Sequence, residues 1–383
     1  MDSTIARRIA PLAGLRFAAA LGILLFHYGA PLVAGGPAWL ERIRAGGYVW
    51  VGLFYVLSGF VLARAHPTPM GPAERRAFWV ARGARLYPAY LLAFLLSAPF
   101  VLERWAGGGP LGTLKAVVVG TASLLLAQAW ITPIARTWNA PGWSTSVVAA
   151  FYALFPFVAA PLSRLGRRGL VLALAGAWGL SLAFPLLWLV LRPDGAVVEL
   201  TWNEPPWLEA LKFHPLARAG EFLVGVALGL LHRRGVALAR GGSAAAVAGL
   251  GAAVLLLASD AIPYVLLHNG ALVPLFALAI LGVAEGRGLL ARLLGSGGAQ
   301  RLGDASFALY ALQEPLWQIA RAAAGDAAPP PSARFVAAFV LATIAASLAV
   351  ARLLERPARR ALRAWFGEDR TAAGTSARRE AAG

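Results

Sequence analysis

Between Ile9 and Val33 the chain reads IAPLAGLRFAAALGILLFHYGAPLV. The stretch is apolar and longer than the roughly 20 residues a bilayer-crossing helix needs. Two side chains in it do not belong in lipid, Arg16 and His27. At about 100° per residue, the eleven positions between them make roughly three turns plus 20°. Both therefore fall on one helix face, about 16 Å apart in height. Ionisable residues at membrane depth are costly and mark functional sites by default. Two on one face predict a polar cavity running through the membrane.

Similar apolar runs recur to the far end of the chain. Of the 383 residues 59% are hydrophobic and only 14% charged, which is a polytopic membrane pattern. The expected fold class is all-α, a polytopic membrane helical bundle. The formal net charge of +17 does not indicate a nucleic-acid partner. The arginines sit in short loops between apolar runs, as the positive-inside rule asks of cytoplasmic loops. Lys115 and Lys212 are the only lysines, and cysteine is absent. That removes disulfides, thiol nucleophiles and cysteine metal sites. The five histidines show no metal-ligand spacing, so no metal is expected. Arg7 and Arg8 resemble the start of a signal peptide, but the apolar run after them is too long and carries Arg16 and His27. It reads as a retained first span.

Apolar length and arginine bias place ten spans, at about 9–32, 47–65, 86–102, 143–162, 169–190, 213–231, 243–260, 264–284, 302–323 and 333–353. Residues 112–131 are apolar enough to cross, but crossing would put the Arg164, Arg167, Arg168 cluster and later arginines outside. A re-entrant segment there keeps both ends cytoplasmic. Residues 1–366 form one membrane domain, and 367–383 read as a disordered cytoplasmic tail, polar and rich in small residues. The outer loop 191–212 carries Trp202 and Trp207, suited to the interface belt. No repeat at fixed period is present, which counts slightly against a transporter.

Several residues could serve the cavity. His27 is either a polar residue packed between helices or a general base high in the first span. Arg82 and Arg85, from WVARGARLYPAY, are three apart and suit phosphate recognition, though cytoplasmic loops are commonly basic. Ser58 and Gly59 in VLSGF read as a close helix contact. Asn139, Trp143 and Ser144, in NAPGWS, enter the fourth span and could line the outer mouth. Glu221 follows Arg218 by three residues and either pairs with it or faces the cavity near His27. Gln313 and Glu314 add a polar patch at mid-membrane.

In this order the chain resembles the acyltransferase 3 family of integral membrane O-acyltransferases over about residues 10–320. The stretches that carry the likeness are LAGLRFAAALGILLFHY, VGLFYVLSGF, FWVARGARLYPAY, NAPGWSTSVVAAFYALFP and LGDASFALYALQEPL. The resemblance implies transfer of an acyl group, with acetyl favoured, from cytoplasmic acyl-CoA to a hydroxyl, usually on a sugar. His27 matches the family's catalytic histidine. Arg82 and Arg85 match the arginines implicated in holding CoA, with Arg16 along the route. The implied partners are acyl-CoA as co-substrate, a carbohydrate or glycoside acceptor and membrane lipid, with no bound cofactor and no nucleic acid. An inner or plasma membrane location follows. The chain departs from the family at three places. The glutamate after the W-S-x-S motif falls on Val148, the late histidine on Gln313, and an aspartate of the second span on Gly52. Glu221 is the substitute carboxylate and second catalytic candidate. Ending soon after the tenth span, the chain is expected to lack the fused hydrolase-like domain of some members. Two other readings stay open, a transporter or flippase of a lipid-linked sugar, and a catalytically weak structural member. The enzyme reading requires that His27 not be sealed from Arg82 and Arg85.

Overall fold

A computed structural model describes residues 3–66, 69–195, 204–238, 241–259, 261–325 and 329–366. Trp202 and the tail 367–383 lie outside the described residues, as do the side chains of Arg7 and Arg8. The described chain is helical. In order it forms α1 (Ser3–Tyr28), α2 (Ala30–Val33), α3 (Ala38–Ala45), α4 (Trp50–Ala65), α5 (Pro72–Ala106), α6 (Gly109–Leu124), α7 (Gly142–Arg164) and α8 (Arg167–Leu191). It continues with α9 (Pro206–Phe213), α10 (Ala219–Arg233), α11 (Gly242–Ala258), α12 (Tyr264–His268), α13 (Val273–Ala284), α14 (Leu289–Leu294), α15 (Gly297–Ala324), α16 (Ala333–Val350) and α17 (Arg356–Trp365).

Seven helical segments among the described residues are long and apolar enough to cross a membrane, and Leu172, Val190, Leu341 and Leu353 stay exposed on their outer faces. Apolar surface of that extent needs lipid to cover it. The chain is a multi-pass membrane protein. The other three expected spans differ in length or polarity. The 213–231 region breaks at His214 and continues as the 15-residue α10, and α11 has 17 residues. α15 is long but carries Asp304, Gln313, Glu314, Gln318 and Arg321.

Three boundaries move from their expected places. α5 starts at Pro72, well before 86, so Arg75, Arg76, Arg82 and Arg85 are helical rather than loop residues. Pro72 at the first helical position and Glu74, which accepts from the Gly71 N–H at 2.8 Å, cap that start. α6 runs only to Leu124, where the carbonyls of Ser123 and Leu124 accept from Tyr90 and Tyr87, about midway along α5. Leu126 then takes a left-handed φ of 56° and the chain turns back through two 3-10 turns to α7. Residues 112–131 thus descend partway and return. Ser146 and Gln128 satisfy the non-helical backbone there, at the Leu126 and Gly142 carbonyls. Last, 264–284 is not one helix. It breaks between α12 and α13.

The packing explains the tightest contacts. α4 lies on α10, α10 on α8, and α1 between α4 and α15. Gly59 of α4 and Gly225 of α10 let the α4 and α10 backbones touch. A Cβ on Gly225 would overlap the Val56 carbonyl and come within 3.0 Å of the Phe60 nitrogen. This approach carries Glu221 against Gly52, whose added Cβ would lie 3.0 Å from Glu221 Oε1.

Candidate active site

α1 presents its apolar face to α4 and α15 and ends at Tyr28, one residue after His27. Arg44 donates to the Phe26 carbonyl at 2.5 Å, satisfying one of the free carbonyls at that end. His27 therefore sits at a helix terminus held from outside the helix. It lines a cavity of about 780 Å³ closed in by α1, the α3–α4 turn, the segment before α7, α9 and α12. That volume is within the usual range for small-molecule sites. Neither ring nitrogen of His27 hydrogen-bonds a described residue; Phe26 and Tyr28 flank the ring at 4.8 and 5.8 Å between centroids. The charged groups that act on it are Arg136 and Arg44.

The cavity wall mixes aromatic planes with charged groups that are already partnered. Arg136 stands 4.9 Å over the Phe213 ring and pairs with Glu209 at 3.0 Å. Lys212 pairs with Glu204 at 2.5 Å and lies over Phe213 and Tyr264. Burial lowers the Lys212 pKa, and Glu204 opposes that shift. Tyr48 stacks on His268 at 5.1 Å with 13° between planes. Aromatic faces beside hydrogen-bonding groups suit a ligand with apolar ring faces and polar edges.

Of the residues expected at this mouth, Trp143 lines the cavity and packs on Phe213 at 4.8 Å. Asn139 is buried and donates to the Ala311 carbonyl at 3.1 Å. Ser144 is buried and hydrogen-bonds the Tyr310 hydroxyl at 2.6 Å. Both hold α7 to α15 and neither lines the cavity. Glu221 does not line it either. Its carboxylate lies 2.9 Å from Arg218, both nearly inaccessible, and takes the Gly270 N–H. Val148, where the resemblance called for a glutamate, is partly buried and packs on the apolar core that contains Tyr55 and Phe151. Gln313 is buried and donates to the Tyr310 carbonyl, while Glu314 accepts from Tyr28 at 2.6 Å.

Arg16, Arg82 and Arg85 form a second polar region, about three turns down α1 from His27. Arg16 lies in the field of Arg82, Arg85, Asp304 and Tyr152. Arg85 binds buried Glu355 at 2.8 Å and the Asp304 carbonyl at 3.1 Å. Glu355 is brought inward by a π-helical turn, Ala351–Glu355, between α16 and α17. Arg82 lies 5.9 Å from the Phe78 ring centroid. None of the three arginines lines the His27 cavity. Its floor is made by Ile23, Val51, Trp143 and Tyr310, all buried in the packed core. The arginines lie beyond these side chains, Arg16 about three turns from His27 along α1.

Sequence reasoning did not reach His268, Arg136, Tyr48 or Lys212. One signal was present: His268-Asn269-Gly270 interrupts an apolar run, and three polar or flexible residues in such a run mark a break.

Residues 10–352 match the acyltransferase 3 family, described as an acyltransferase domain. The chain is 30% identical over 238 residues to "Acyltransferase MdmB" of Streptomyces mycarofaciens, covering 60% of this chain and 59% of that protein. It is 36% identical over 112 residues to "Protein 2 in picA locus" of Rhizobium radiobacter, covering 29% of this chain and 54% of that one. The chain thus spans little more than half the length of these curated relatives. No solved structure matches it. With its family match running from the first membrane helix to the π-helical turn, the chain belongs to the acyltransferase 3 family.

Proposed function

We propose that the protein is a membrane O-acyltransferase that moves an acyl group, acetyl by preference, from acyl-CoA to a hydroxyl of a sugar, surface glycan or glycosylated small molecule. The observation that carries this reading is His27, both ring nitrogens free of hydrogen bonds to described residues, in the wall of a cavity of about 780 Å³. The family match supports acyl transfer over the movement of a lipid-linked sugar.

The acceptor enters the His27 cavity from the outer side, and acyl-CoA binds at the cytoplasmic end, its phosphates near Arg82 and Arg85. An imidazole without an internal partner is able to accept a proton from the acceptor hydroxyl. The hydroxyl oxygen attacks the thioester carbonyl carbon as its proton passes to His27. The tetrahedral oxyanion then collapses, the carbon–sulfur bond breaks, and the CoA thiolate takes the proton back from the imidazolium. Arg16 lies along the route of the pantetheine arm. Ile23, Val51, Trp143 and Tyr310 line the cavity between His27 and the arginines, and the acyl arm passes them to reach the histidine. Glu221 acts from the side, holding Arg218, and the aromatic wall with Trp143 holds the sugar.

The test is acetyl-CoA-dependent transfer in membranes containing His27→Ala or His27→Gln. Removing a general base lowers turnover about 10²- to 10⁴-fold. Arg82→Ala is expected to raise the KM for acetyl-CoA while sparing acceptor binding. A folded His27→Ala protein with full activity would overturn the assignment.

A further inference from the structure

The mechanism above leaves a second cavity without a role. It holds about 470 Å³ and lies where α15 begins and α16 ends, lined by Arg301, Leu348, Ala351, Arg352 and Arg356. Arg356 donates to Asp304 Oδ2 at 3.1 Å, and both side chains of that pair are about half exposed. Arg301 and Arg352 are exposed, and among the described residues neither guanidinium has an ion-pair or hydrogen-bond partner. One carboxylate against three guanidiniums leaves two positive charges in surplus, and a guanidinium fork suits phosphate oxygens. The positive-inside rule accounts for arginines at one end of a bundle, but it does not gather them round a cavity.

The surroundings of the pocket point to the rest of the ligand. Leu341, Ala345, Leu348 and Arg352 follow one another at spacings of four, three and four. They therefore share one face of α16 as it runs into the π-helical turn. Leu341 and Ala345 are exposed and Leu348 is partly so. From Leu348 this stripe runs about 10 Å along the span to Leu341. The pocket thus has cations at its rim and an exposed apolar track leading away from it along a membrane helix. Beyond Arg356, α17 carries Arg359 and Arg360 and ends in exposed Trp365 and Phe366. Basic side chains followed by exposed aromatics suit a helix at headgroup level. No aromatic ring lines the pocket, so a nucleotide base would find nothing there to stack on.

We propose that this pocket binds the headgroup phosphate of an anionic phospholipid. Arg301 and Arg352 grip the phosphate oxygens, Arg356 adds its charge from beside Asp304, and an acyl chain lies along Leu348, Ala345 and Leu341. Basic pockets between membrane helices hold such headgroups. The site shares no residue with the His27 cavity and does not depend on the reaction assigned there. It adjoins the Arg85 region instead. Asp304 offers its carbonyl to Arg85 and its carboxylate to Arg356, and the turn that bears Arg352 also bears Glu355, the partner of Arg85.

The experiment titrates the full chain, purified in dodecylmaltoside, with dioleoylphosphatidylglycerol, and native mass spectrometry counts the bound lipid. Dioleoylphosphatidylcholine, with the same chains and no net charge, and coenzyme A, with phosphates and no chains, are the comparison arms. Wild type is expected to bind phosphatidylglycerol about tenfold or more tightly than phosphatidylcholine. Arg301→Gln with Arg352→Gln is expected to weaken phosphatidylglycerol binding about 30-fold, roughly fivefold per arginine, and to leave phosphatidylcholine unchanged. Arg287→Gln with Arg292→Gln removes the same charge from exposed positions leading into α15, outside the pocket, and is expected to bind as wild type does. The pocket variant breaks no contact between described residues, so its thermal midpoint in lipid-free detergent is expected to match wild type, which separates lost binding from lost fold. Equal phosphatidylglycerol affinity in the pocket variant and wild type overturns the proposal. Equal weakening by the two double variants also overturns it, leaving overall charge as the cause. So does a coenzyme A affinity that falls while phosphatidylglycerol binding stays, which makes the pocket a nucleotide site.

Discussion

Replacing Arg218 with methionine tests the element that joins the fold to the site. The side chain is wholly buried. Its guanidinium holds Glu221 at 2.9 Å, two side chains and a carbonyl of the α12–α13 break, and the Tyr55 ring face at 5.3 Å. Methionine matches the stem and brings no donors. It strands the Glu221 carboxylate, which keeps only the Gly270 N–H, and leaves the break's acceptors facing a thioether. Removing one partner of a buried ion pair costs about 3–5 kcal/mol. At about 1.4 kcal/mol per decade, that is roughly two to three and a half powers of ten in the folding constant. Arg218→Lys is expected to recover only part, since an ammonium on a flexible stem does not serve three acceptors and a carboxylate at once. Arg218→Met with Glu221→Leu removes both charges. It should retain a deficit of about 1–3 kcal/mol from the unserved acceptors at the break. The difference is read as a coupling energy in a double-mutant cycle. The assay is equilibrium unfolding from mixed micelles with SDS, followed by tryptophan fluorescence. If Arg218→Met and Arg218→Lys both stay within about 1 kcal/mol of wild type, the pair is not what holds the break.

Two further outcomes follow from the packing. Gly225→Ala puts a Cβ against the Val56 carbonyl and 2.8 Å from its carbon, all backbone that has nowhere to move. It is expected to destabilise by about 1–3 kcal/mol or more, while Gly83→Ala, whose Cβ meets nothing, gains about 0.5–1 kcal/mol as an ordinary helix substitution; equal effects at the two sites would show that the α4–α10 contact is not tight. His66, just beyond α4, has its pKa lowered to about 4 by burial and by the nearby Arg82 cation. Its native pKa lies below the unfolded value of 6.5, so the unfolded chain binds the proton first and stability falls as pH drops from about 6.5 toward 4. His66→Phe is expected to flatten that part of the stability curve in the same unfolding assay, and an unaltered slope would place the acid sensitivity elsewhere.

What the sequence determined by itself is the class of fold and the first element of the site. Twenty or so apolar residues in a row have one stable solution in lipid, a helix whose backbone satisfies itself, so the long helices could be placed from composition alone. The arginine clusters gave a consistent orientation, and they argued against a full crossing at 112–131, where α6 stops beside Tyr87 and Tyr90. His27 was conspicuous because it is an ionisable side chain in a long apolar run. Polar residues inside spans were not so readable, because whether a carboxylate faces a cavity or a cation depends on which helix lies next to it. Glu221 and Arg85 show this. Each had a plausible outward role, and each is held by a partner, Arg218 for one and Glu355, 270 positions away, for the other. His268 shows the converse. Only the approach of α10 to the α12–α13 break brings Arg218 within 2.8 Å of its Nδ1. Tertiary packing likewise decided that Ile23, Val51, Trp143 and Tyr310 line one cavity with His27, because a wall built from α1, α4, α7 and α15 is no property of any one of them.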